Sequence, residues 1–393
     1  MNAQGPVSLF FLTALVGVAH GQIAFHPAVN LPVGDAPEGG ALVDFDDTGK
    51  LGLVVASENP DKLEFFANKG NGTFDAAFAV LTGNDTSPEG VAPGDFDDDG
   101  DPDLLVALFS ANQVRLVLRN ASGAYVLGGA FPVGVEPSIV VAADFDRDGF
   151  LDGAVNDRVS GDVSVLINDG AGGFASAVAH AVGDETRCVA AGDITGDTFP
   201  DLAVSARDSR RVRLFANQGD GTFQLLRDLS LGSILEPEGV ALADFDSDGK
   251  LDVVTATSGN AQQEHPSVFV QENGGNPWIG PINGQILPGR SPMGIVAADF
   301  DLDGHVDVAT ANADSNDVAF CKNGGIGIFM LPTFRTVGLN PEALVMLGGD
   351  LDDNGSTDLV TFNRDSNDVS VLINEASAPR GPSHVLRHAP PRR

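Results

Sequence analysis

Apolar residues come in short runs along this chain. GVALA, LLVAL, VSVLIN and their relatives are rich in Val, Ala, Leu and Ile, and clusters of Gly, Asn, Asp and Ser bound each of them. Short β-branched runs between turn-forming residues predict strands joined by tight hairpins. No stretch repeats its apolar positions with the 3.6-residue period of an amphipathic helix. The pattern therefore predicts an all-β chain.

The runs recur in a fixed order. One acidic phrase appears seven times, beginning at Asp44, Asp95, Asp144, Asp193, Asp244, Asp299 and Asp350, at intervals of 49 to 55 residues. The copies read DFDDTGKLG, DFDDDGDPD, DFDRDGFLD, DITGDTFPD, DFDSDGKLD, DFDLDGHVD and DLDDNGSTD. Each unit sets a small-apolar run before the phrase, a second run after it, an Asn/Ser/Asp turn, a third run and a Gly-rich turn such as NQGDGTF. Four strands in a repeat of about 50 residues predict one propeller blade. The expectation is a seven-bladed β-propeller of four-stranded blades over residues 22–377.

The ends of the chain suggest how the ring closes. The last repeat stops after VSVLIN, Val369 to Asn374, without a fourth run. QIAFHPAVNLPVG, residues 22–34, matches fourth-run stretches such as GTFDAAFAVLTG. The N-terminal strand is thus expected to complete blade seven and leave no open edge.

Composition adds limits. With 48 Gly and 23 Pro the chain turns often, and 42% apolar residues suffice for a core between the turns. A formal charge of −33 argues against nucleic acid or an anionic membrane as partner and favours a cation. The apolar run Val7–Ala19 is too short to span a bilayer and suits a signal peptide over residues 1–21, with Ala19 and Gly21 placed for cleavage before Gln22. Residues 378–393, Pro-rich and basic, read as a disordered tail. The mature chain is expected to be secreted, without a membrane span, and monomeric. Cys188 and Cys321 fall in non-adjacent repeats, which excludes a disulfide framework and makes both core thiols.

The acidic phrase carries the chemistry. In DxDxDGxxD the carboxylates at positions 1, 3 and 5 converge, Gly at 6 permits the sharp turn, Asp at 9 closes the cage, and the apolar residue at 2 points into the blade. An all-oxygen set of this kind suits Ca²⁺ before Mg²⁺ or a transition metal. Four copies are complete: Asp95, Asp97, Asp99 and Asp103; Asp144, Asp146, Asp148 and Asp152; Asp244, Asp246, Asp248 and Asp252; Asp299, Asp301, Asp303 and Asp307. The seventh offers Asp350, Asp352, Asn354 and Asp358. The fourth keeps Asp193, Asp197 and Asp201 but has Thr195 and Thr198, and the first has Thr48 and Gly52 at positions 5 and 9, so these two are the weakest metal sites.

The phrase DFDxDGxxDLxV with a downstream NxGxGxF turn resembles the FG-GAP or VCBS repeat, found in the integrin α-subunit propeller and in many secreted bacterial proteins. The resemblance covers about residues 35–375. It implies calcium loops between strands 1 and 2 of each blade and a docking face for protein or glycan on the opposite side. The implied function is a calcium-binding adhesion or binding module. A structural scaffold without a discrete ligand and a polysaccharide-active enzyme of lyase type are the alternatives.

Beyond the metal loops, the turns before the first runs share a Pro followed by Glu38, Glu89, Glu238 and Glu342, with Ser138, Arg187 and Met293 in the same place elsewhere. These side chains are expected to ring one mouth of the central channel, either as a cation- or amine-binding mouth or as solvated turn residues. Trp278 stands where other repeats have the Phe of the Gly-rich turn and reads as a core residue. His26, His180, His265, His305, His384 and His388 are scattered, and no linear catalytic motif is present, so the chain is expected not to be an enzyme.

Overall fold

The computed structural model describes residues 22–233, 235–259, 267–271, 289–325, 329–341 and 345–376. The expected signal peptide, the tail, Trp278, Glu342, His265, His384 and His388 lie outside the described residues. Every regular element among the described residues is a β-strand.

The second repeat shows the local grammar. Its strands Pro88–Gly94, Asp103–Leu108, Gln113–Arg119 and Tyr125–Pro132 pair antiparallel in that order as one sheet. Asp103–Leu108 is buried along its whole length, because it has a strand on either edge and other sheets against both faces. That double burial explains why the run after each acidic loop is continuously apolar rather than alternating. Tyr125–Pro132 lies outermost, and apart from buried Tyr125 its residues are exposed or half-buried.

The first strands of successive sheets contact one another round a ring, ending with Met346–Gly349 beside Asp35–Val43. Glycine makes that approach possible. A Cβ on Gly90 would lie 2.4 Å from the Ser138 carbonyl oxygen, and one on Gly239 would lie 2.5 Å from that of Met293. The core sits between the sheets. The residue at position 2 of every loop is buried there: Phe45, Phe96, Phe145, Ile194, Phe245, Phe300 and Leu351. Cys188 and Cys321 are buried free thiols, as expected.

Two expectations about architecture meet different outcomes. Among the described residues the ring holds six four-stranded blades, not the seven predicted. The fifth repeat gives a three-stranded sheet, Leu235–Ala243, Asp252–Gly259 and Ser267–Gln271. Its repeat carries the longest interval, and the stretch that would supply a fourth strand falls outside the described residues.

The N-terminal segment does join the last repeat. Val29–Pro32 pairs antiparallel with Asp368–Leu372, in the register Val29 to Val371 and Pro32 to Asp368. Upstream, Phe25 is buried and stacks on Phe320 at 4.3 Å, and His26 N donates to the Ile373 carbonyl at 2.9 Å.

Candidate metal centres

Each acidic loop links the first and second strands of its sheet. The first Asp folds the loop by accepting backbone N–H bonds, through one oxygen in the second and third loops and through both in the fifth, sixth and seventh. Asp95 Oδ2 accepts from Gly100 N at 2.9 Å, Asp244 Oδ2 from Gly249 N at 2.8 Å, and Asp350 Oδ2 from Gly355 N at 2.8 Å. Gly100 and Gly249 have φ of 89° and 86°, and a Cβ on either would meet nothing within 4 Å, so the left-handed dihedral alone requires glycine. A second left-handed residue stands at position 4, where Asp98, Arg147, Ser247 and Leu302 have φ between 59° and 63°. The fourth loop exchanges the two: Gly196 takes position 4, and Thr198 is held at φ 79°, a strained setting for a β-branched residue.

The Asp at position 9 is fully buried and ties the loop to the third strand. Asp103 Oδ2 accepts from Phe96 N at 3.0 Å and its Oδ1 from Arg119 N at 2.8 Å. Asp152, Asp307 and Asp358 repeat both bonds. Burial pushes Asp103 and Asp152 up to about 6 and Asp307 and Asp358 up to about 7, with neighbouring loop carboxylates adding to the rise and backbone N–H bonds opposing it. The sequence reading made this residue a fourth ligand. The structure gives it a second task, anchoring the loop.

Five loops bring carboxylates together within 4.8 Å: Asp95, Asp97 and Asp99; Asp144, Asp146 and Asp152; Asp244, Asp246 and Asp248; Asp299, Asp301 and Asp303; Asp350, Asp352 and Asp358. Of the predicted carboxylate ligands in these loops, Asp103, Asp148, Asp252 and Asp307 stay outside these groups. Asp148 Oδ1 accepts from Phe150 N, and Asn354 Oδ1 accepts from Ser356 N and Oγ. Among the described residues the first and fourth loops form no such group. In the fourth loop Asp193 accepts from the backbone N–H groups of Gly196, Asp197 and Thr198, and position 3 is Thr195, which brings no carboxylate.

The groups fit a hard cation on an observation independent of their spacing. Asp95 Oδ1, Asp97 Oδ1 and Asp144 Oδ1 are buried and accept no hydrogen bond within the chain. A buried oxygen anion without a donor is costly, and a divalent cation is the partner its position suits.

An asparagine at the end of the third strand links neighbouring loops, and the sequence reading missed it. Asn168 Nδ2 donates to the carbonyls of Leu151 in its own repeat and Phe96 in the preceding loop, at 2.9 and 3.0 Å. Asn217, Asn323, Asn374 and Asn68 make the same pair of bonds. The signal was present as the Asn that opens most Gly-rich turns. The second repeat has Arg119 there instead, whose buried guanidinium pairs with Asp47 of the first loop at 2.6 Å and with Asp101 at 2.7 Å.

At the other end of the first strands, the residue after the turn Pro sits in a register shift. Such bulges fall between Pro37 and Gly39, Pro88 and Val91, Pro137 and Val140, and Pro237 and Val240. A bulge re-aims its side chain. The resulting groups are not solvated turn residues. Arg187 Nε pairs with buried Glu238 at 2.8 Å, Arg207 reaches Glu238 at 3.2 Å, and Arg364 pairs with Glu38 at 2.8 Å. Burial, with Glu38 nearby, pushes Glu89 up to about 7. His180 packs against Phe223, and His305 lies in the sixth loop.

Comparison with known proteins supports the fold and corrects one expectation. FG-GAP-like repeats match residues 44–106, 95–155, 144–204, 193–255 and 244–310. Curated protein sequences give no significant match. Among solved structures, the chain is similar to BBS1N in its complex with ARL6DN, at 14% identity over 90% of this chain and 98% of that one, with a TM-score of 0.62. It is also similar to an Agrocybe aegerita lectin that recognises non-reducing terminal N-acetylglucosamine, at 18% identity over 88% and 87% of the chains and a TM-score of 0.51. A third is the periplasmic gluconolactonase PpgL of Pseudomonas aeruginosa, at 16% identity over 77% and 86% and a TM-score of 0.54. These identities establish shared fold alone. The gluconolactonase overturns the expectation that the chain is not an enzyme: a site assembled from separate blades leaves no linear motif, so the lack of one excludes nothing. The repeats match most of the chain, and it belongs to the FG-GAP-like repeat family.

Proposed function

We propose that this is a secreted calcium-binding propeller whose ion-stiffened ring presents a binding surface to protein or glycan partners. The observation that carries the reading is the set of buried carboxylate oxygens in the second and third loops that lack any donor. The second, third, fifth and seventh loops are the calcium sites. All-oxygen loops of this type fill at extracellular calcium levels, and the Val7–Ala19 run supports export. The bulged face with Glu38 and Glu89, opposite the loops, is the docking surface, and the chain acts as a monomer. The fold-level likeness to a lectin and to a protein solved in complex with a partner supports a binding role.

The test is a glycan array and a pull-down with the purified chain in calcium and in EDTA. Capture in calcium that is lost in EDTA is expected. Capture that ignores EDTA would separate binding from the ion, and no capture in either condition would favour the scaffold reading.

A further inference from the structure

The residue before the latch position is apolar in most repeats: Ala67, Leu118, Ile167, Ala216 and Ile373. In the sixth it is Lys322. Its ammonium turns back into the sixth loop of its own repeat, where it hydrogen-bonds Asp301 and lies 3.0 Å from Asp303 Oδ2. The three side chains are 12%, 1% and 8% exposed, so this is an enclosed ion pair rather than a rim contact. The fifth loop offers the contrast. Lys250 pairs with Asp248 at 3.1 Å with nearly half its surface in solvent, a rim contact rather than an enclosed one.

We propose that Lys322 is the resident cation of the sixth loop and excludes calcium from it, although that loop is complete in carboxylates. An ammonium seated between positions 3 and 5 occupies the point on which those oxygens converge. Expelling it would strand a positive charge in a nearly closed setting, which is costly. It would also place that charge close to the entering ion. The sixth loop is then held by a tethered charge whatever the calcium level, while its neighbours fill and empty. Arg119 offers a partial parallel in the first loop, where an arginine of the next repeat grips Asp47 and no carboxylate group forms among the described residues.

The inference rests on the calcium reading above, and ion stoichiometry separates the two. Native mass spectrometry and titration calorimetry of the full chain with Ca²⁺ would count ions in the wild type and in Lys322→Met, Asp301→Asn and Asp246→Asn. Lys322→Met is expected to bind one ion more than the wild type. Asp301→Asn should leave the wild-type count unchanged, whereas Asp246→Asn should lose one ion. Equal non-zero counts in the wild type and Lys322→Met, or a lost ion in Asp301→Asn, would overturn the role of Lys322 and leave calcium binding intact. A count of zero in every protein would overturn both. Asp301→Asn keeps the test decisive if Lys322→Met does not fold.

Discussion

At the scale of single residues, the loops combine two demands that pull apart. The Asp at position 9 must be buried to anchor the third strand, and it must be charged if it is to help hold an ion. Its raised pKa follows from that burial. In the metal-free chain such groups favour the folded state below about pH 4, where folded and unfolded forms are both protonated. That contribution is lost as pH rises through about 6 for Asp103 and Asp152 and about 7 for Asp307 and Asp358. Melting in EDTA should therefore occur at a higher temperature at pH 5 than at pH 8, and the gain from added calcium should be larger at pH 8. Calorimetric scans at both pH values check this; an EDTA midpoint that rises from pH 5 to pH 8 would contradict it. The latch offers a second check. Asn168→Ala leaves the buried carbonyls of Phe96 and Leu151 without a donor and should cost about 2 kcal/mol in urea unfolding. The carboxylates at positions 1, 3 and 5 and the inward Phe were legible because their spacing is local. Lys322, Arg119 and the latch were not, because their partners stand 17 to 283 residues away in sequence and only the folded blades and ring bring them together.

At the scale of elements, strand order was readable and strand completeness was not. The run after each loop is uniformly apolar because both of its faces are covered, and this gave the second strands directly. The fifth repeat broke the rule. Among the described residues its sheet has three strands beside six complete blades, and the stretch expected to supply the fourth lies outside them. Ring closure was readable because the last repeat lacks a run that the N-terminal segment supplies. Removing residues 22–34 should take away Val29–Pro32 and buried Phe25 together, and expose Asp368–Leu372 as an open edge. Such a truncated chain is expected to unfold at a lower temperature than the full one and to self-associate, readable by calorimetry and light scattering. Unchanged melting with no larger species would show that closure does not depend on this strand.

At the scale of the molecule, an acidity of −33 is concentrated in loops that repeat round one ring. Latch asparagines connect most of these loops to the next, so an ion in one steadies the anchor of its neighbour. Folding and ion binding are then linked by mass action, at about 2.7 kcal/mol for each site filled at a hundred times its dissociation constant. With several sites the sum is comparable to the whole stability of an ordinary domain. The most direct measurement is a pair of calorimetric melts of the purified chain at neutral pH, one in millimolar calcium and one in EDTA. Ion-filled loops predict a midpoint lower by about 10 °C or more in EDTA. Superimposable traces would contradict them.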